Sequence, residues 1–120
     1  SIDNFDVKNL KHLYIDDNLL GSIDNFDVKN LISLGVRNNR IKSIDNFDVK
    51  NLVELHLSGN QIREIKSFNP KNLKLIDLTG NPIMHISEEV YSLFKEKGVE
   101  VVGGPKTAKE ITKWYEFWKW

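Results

Sequence analysis

The 120-residue chain has no cysteine. That excludes disulfides, Cys-ligated zinc and thiol chemistry, and it suits a reducing compartment. Nor is there an apolar run near the roughly 20 residues that a membrane span needs. Neither charge sign is in excess, with 17 Lys plus Arg against 17 Asp plus Glu. No global field therefore draws the chain to nucleic acid or to an anionic membrane surface. Close-spaced ligand pairs such as H-x-x-x-H are missing, so no metal or cofactor is expected. The chain opens in mid-pattern on Ser1-Ile2-Asp3 and shows neither a signal peptide nor an N-x-S/T sequon. The expected compartment is the cytoplasm.

What is present is repetition. The decapeptide SIDNFDVKNL occurs three times unchanged, from Ser1, Ser22 and Ser43. A fixed period of this size marks a solenoid, whose units cannot bury their apolar faces alone. Aligned on the period, Leu10, Leu13, Ile15, Asn18 and Leu20 match Leu31, Leu34, Val36, Asn39 and Ile41. The series continues through Leu52, Leu55, Leu57, Asn60 and Ile62 to Leu73, Ile76, Leu78, Asn81 and Ile83. Within each unit the alternation Leu13-Tyr14-Ile15 reads as a short strand with one buried face. The recurring Asn breaks that alternation and is suited to bond backbone groups of the turn and of neighbouring coils.

Ile2, Phe5 and Val7 recur as Ile23, Phe26 and Val28, then as Ile44, Phe47 and Val49. They are expected to fill the opposite wall of the core. In the fourth unit Ile65, Phe68 and Pro70 take these places, and the proline predicts that this wall is not a paired strand. The four phenylalanines are expected to stack as an internal spine. Asp3, Asp6 and their copies form an acidic row beside Lys8, Lys29, Lys50 and Lys71, which reads as a solvated surface.

Beyond Ile83 the period stops. Ser87-Glu88-Glu89 predicts a helix start and Lys97-Gly98 its end, with Val90, Tyr91, Leu93 and Phe94 on one face. Val99, Val101 and Val102 form a last strand-like run. Thr107 and Glu110 suit a capping box ahead of Ile111, Trp114, Tyr115 and Trp118 at helical spacing. The expected organisation is therefore repeats over 1–84 and a helical cap with a Trp-rich tail over 85–120.

The pattern L-x-x-L-x-L-x-x-N-x-L, four times in phase, resembles the leucine-rich repeat family. Without cysteine caps it is similar to the intracellular and internalin-like groups. The resemblance implies an α/β right-handed solenoid with a concave parallel sheet, an irregular or short-helical convex side and a C-terminal helical cap. It also implies non-catalytic protein recognition through that concave sheet.

The residues themselves support a recognition face. The outward strand positions read His12, Ser33, Glu54, Leu75; then Tyr14, Gly35, His56, Asp77; then Asp16, Arg37, Ser58, Thr79. These positions vary while the decapeptide stays fixed, as in a constant frame carrying a diversified face. His12, Tyr14, Asp16, Ser33, Arg37, Glu54, His56 and Asp77 are the candidate contacts. Tyr14, Arg37 and His56 are the anchors, and Asp16, Glu54 and Asp77 favour a basic partner. A Ser58-His56-Asp77 triad is disfavoured, because residues two apart on a strand lie roughly 6.5–7 Å apart and an open sheet offers no oxyanion hole. An enzyme is therefore not expected. The alternative reading is a self-assembling or consensus-type scaffold. In it the uncapped first coil and an aromatic anchor of Trp114, Phe117, Trp118 and Trp120 make a homodimer. A membrane role for that tail is disfavoured, given its short length and modest basic excess.

Overall fold

In the computed structural model, residues 10–24, 30–47 and 50–104 are described. Each repeat places one three-residue strand in a common parallel sheet: β1 (His12–Tyr14), β2 (Ser33–Gly35), β3 (Glu54–His56) and β5 (Leu75–Asp77). The pairing follows the 21-residue period, so Leu13, Leu34, Leu55 and Ile76 stand side by side. A fifth strand, β7 (Glu100–Val102), extends the sheet to the order β1-β2-β3-β5-β7. The strand-like run at Val99–Val102 thus becomes a further rung, with Val101 beside Ile76.

The inward residues of successive units form one continuous core. Leu34, Val36, Leu55, Leu57, Ile76 and Leu78 are fully buried from the strand side, and Ile23, Ile44 and Ile65 meet them from the opposite wall. Burying each such side chain contributes about 1.5–3 kcal/mol, so the stacked coils hold one another in place. Of the four phenylalanines expected to stack, Phe47 and Phe68 are described, and both are buried. Phe68 meets the ring of Phe94 at a centroid distance of 6.3 Å, tilted by 56°. The fourth coil is thereby joined to helix α1 (Glu88–Glu96).

That helix begins and ends as its sequence predicts. The Ser87 side chain accepts the Val90 N–H, Glu88 and Glu89 occupy the first turn, and Lys97 caps the end. Gly98 then takes a left-handed conformation at φ 66°, and Val99 N–H returns to the Phe94 carbonyl at 2.9 Å.

The wall opposite the main sheet departs from expectation. There β4 (Glu64–Ile65) pairs in parallel with β6 (His85–Ile86) in a separate two-stranded sheet. Proline excludes pairing only where its missing N–H is needed, and Pro70 lies five residues beyond Ile65. The sequence around Pro70 stays out of the ladder, but the shorter segment before it does not. Phe5 and Phe26, the first-unit residues Asp3, Asp6 and Lys8, and the aromatic residues Trp114, Phe117, Trp118 and Trp120 lie outside the described residues.

Candidate functional site

The turn after each strand fixes how the outward side chains are presented. The first residue of that turn adopts a left-handed backbone in all four repeats: Asp17 (φ 59°), Asn38 (φ 56°), Gly59 (φ 72°) and Gly80 (φ 73°). Asp, Asn and Gly are the residue types that tolerate this conformation. The next residue is the recurring Asn, and it links coils. Asn60 Nδ2 donates to the Val36 and Leu57 carbonyls at 3.0 and 2.9 Å. Its Oδ1 accepts the Ile41 N–H at 3.0 Å. Asn39 and Asn81 make the corresponding bonds. Asn18 is exposed and, among the described residues, reaches only its own turn, at the Asp16 carbonyl.

On this frame the predicted columns appear in register along the outer sheet face. The side chains nevertheless meet along diagonals, one coil on and two residues back. Tyr14 crosses to Ser33, its hydroxyl 2.8 Å from Ser33 Oγ. Its ring lies over Gly35, where an added Cβ would stand 2.3 Å from Tyr14 Cδ1. Ser33 is consequently buried, and Tyr14 keeps 55 % of its surface exposed. Reaching Ser33 requires moving Tyr14 aside.

The second diagonal is charged. Asp16 Oδ1 accepts the Arg37 backbone N–H at 2.7 Å, and its Oδ2 lies 3.8 Å from the Arg37 guanidinium. Arg37 Nη2 lies 3.1 Å from His56 Nδ1. His56 Nε2 lies 3.5 Å from Glu54 Oε1. Since a guanidinium only donates, the Arg37 bond makes His56 Nδ1 an acceptor and leaves the ring proton on Nε2, facing Glu54. Four of the predicted residues thus form one chain, Asp16–Arg37–His56–Glu54, across three strands or their turns.

Asp77 stands beside this chain. Partial burial pushes its carboxyl up, but bonds from the Thr79 hydroxyl and N–H, with the charges of Arg37 and His56, outweigh that and hold it below the usual carboxylate range. The Thr79 N–H donates at 3.0 Å. His12 is exposed at the start of β1. Both ring nitrogens of His56 face Arg37 and Glu54 rather than Ser58, so the structure does not assemble a Ser58-His56-Asp77 triad.

A family model described as leucine-rich repeats (2 copies) matches residues 29–70. The match falls on the coils whose strands and Asn bonds have just been described. Residues 29–70 are leucine-rich repeats. No curated protein and no solved structure matches it. Leucine-rich repeat domains are typically non-enzymatic modules that bind other proteins, and this repeat protein has their stacked coils and parallel sheet. Among its described residues no helix is long and apolar enough to cross a membrane.

Three features of the face were absent from the column reading. Gly35 is the seat for Tyr14, Thr79 holds Asp77, and Arg37 is already engaged by Asp16. The first had a usable signal: a glycine next to an aromatic in a column where other units carry side chains.

Proposed function

We propose that this repeat protein is a non-catalytic recognition module that binds a protein partner through the outer face of its five-stranded sheet. The observation that carries this reading is the organisation of the face. Tyr14 is half exposed yet held by Gly35 and Ser33, and Arg37 and His56 are held by Asp16 and Glu54. Anchors fixed before binding lose less rotamer freedom on contact, which favours affinity. An aromatic and an arginine are also the residue types that dominate interface energetics.

The partner's contact surface is basic. Asp16, Glu54 and Asp77 outnumber Arg37 on the face, and Asp16 and Arg37 are paired with each other. The remaining carboxylates complement a cationic patch and steer its approach.

The test is capture by the immobilised wild-type chain and by the triple variant Tyr14→Ala, Arg37→Ala, His56→Ala, with the bound proteins identified by mass spectrometry. The reading expects a specific basic protein on the wild type and its loss from a variant that still folds. Equal capture by both would refute it.

A further inference from the structure

A second surface shares no residue with the face described above. Segments 63–66 and 84–87 are joined by backbone bonds from Met84 and His85 N–H to the Arg63 carbonyl, and from Ser87 N–H to the Ile65 carbonyl. One coil earlier, no backbone bond joins 42–45 to 63–66 among the described residues. The outer edge of β4 is therefore left open, and a crevice of about 640 Å³ lies there, bordered by both segments and by Met84.

Carboxylates already occupy the donors on one side of this crevice. Asp45 Oδ1 accepts the Lys66 and Ser67 N–H groups at 3.0 and 3.2 Å. Glu64 Oε2 lies 2.9 Å from Lys66 Nζ and raises the Lys66 pKa. Lys42 and Arg63 remain. They occupy the same position in consecutive coils, both line the crevice, and neither side chain has a hydrogen-bond or ion-pair partner among the described residues. Two like charges at corresponding positions of adjacent coils, on one crevice, repel each other unless an anion lies between them.

We infer that this crevice receives an acidic segment of a partner protein, with one of its carboxylates bridging Lys42 and Arg63. A guanidinium takes a carboxylate through two parallel bonds, and the ammonium adds a third donor. Met84 offers an apolar wall to the methylenes of a glutamate side chain. The volume suits several side chains rather than a bare ion, and Asp45 and Glu64 show that the neighbouring donors take carboxylates.

The experiment is an amide-resolved NMR titration of the full chain with acetyl-hexaglutamate-amide at low salt. The expected result is saturable shifts confined to 42–45 and 63–66, with affinity roughly tenfold weaker in the Lys42→Glu, Arg63→Glu variant, as loss of two exposed ion pairs implies. Arg63→Lys should keep most of the binding. Absence of saturable shifts, or equal shifts in the charge-reversed variant, would overturn the inference. So would equal shifts from inorganic phosphate at the same concentration, since they would reduce the site to an unselective pair of cations. None of these outcomes depends on whether the sheet face binds a basic partner.

Discussion

Arg37 donates to His56 Nδ1 across 3.1 Å, from one coil to the next. The bond uses the lone pair of that nitrogen and leaves the ring proton on Nε2, toward Glu54. Nitrogen-detected NMR should therefore show the Nε2–H tautomer of His56. His56→Ala should remove the acceptor, and the Arg37 side-chain signals should shift in that variant. Unmoved Arg37 signals would contradict the bond.

Asp77 gives the pH dependence of stability its sign. Its carboxyl titrates lower in the folded chain than in the unfolded one, so its contribution is present above the ordinary carboxylate range. It is lost as the pH falls through the depressed folded value. Asp77→Asn should lower the urea midpoint at neutral pH, and the gap to wild type should close in acid. A gap that widens on acidification would reverse the sign.

Two glycines should respond differently to alanine. At Gly59 a Cβ would lie 2.2 Å from Asn38 Oδ1 on a backbone at φ 72°. Gly59→Ala should cost about 1–2 kcal/mol from the left-handed conformation, with displacement of Asn38 in addition. At Gly35 the obstacle is the ring of Tyr14, an exposed side chain that can swing away. Gly35→Ala should change stability by less than about 1 kcal/mol. It should release Ser33 from Tyr14, seen as loss of the ring-to-strand nuclear Overhauser contacts.

The asparagine series should be graded by burial. Asn60→Ala leaves the Ile41 N–H without its acceptor and takes one of two amide donors from each of the Val36 and Leu57 carbonyls, at about 1–3 kcal/mol for a buried unsatisfied group. Asn18→Ala removes one exposed bond and should fall within about 0.5 kcal/mol of wild type. Urea melts of the two variants decide the point, and equal costs would deny the internal ladder its role.

The fold was legible because its determinants are local and repeat. The Leu-x-Leu alternation set the strands, the period set the register, and Ser87 with Lys97-Gly98 set the helix. The site was legible by position only. A 21-residue alignment puts Tyr14 beside Gly35 and Arg37 beside Ser58, whereas the side chains lean two residues back, to Ser33 and His56. That lean depends on rotamers and on a missing Cβ at Gly35, which a column of letters does not carry. The β4–β6 ladder escaped notice for a similar reason. Pro70 weighed on the whole segment, although its missing N–H affects only its own position.

The central claim, recognition through the sheet face, is tested most directly by mapping the complex. The partner captured by the wild-type chain is titrated into isotope-labelled protein, and the perturbed amides are located. Perturbations should cluster at 12–16, 33–37, 54–58 and 75–79, and should vanish in the Tyr14, Arg37 and His56 triple variant. Perturbations confined to helix α1 or to the 42–45 and 63–66 crevice, with those four stretches silent, would contradict the claim.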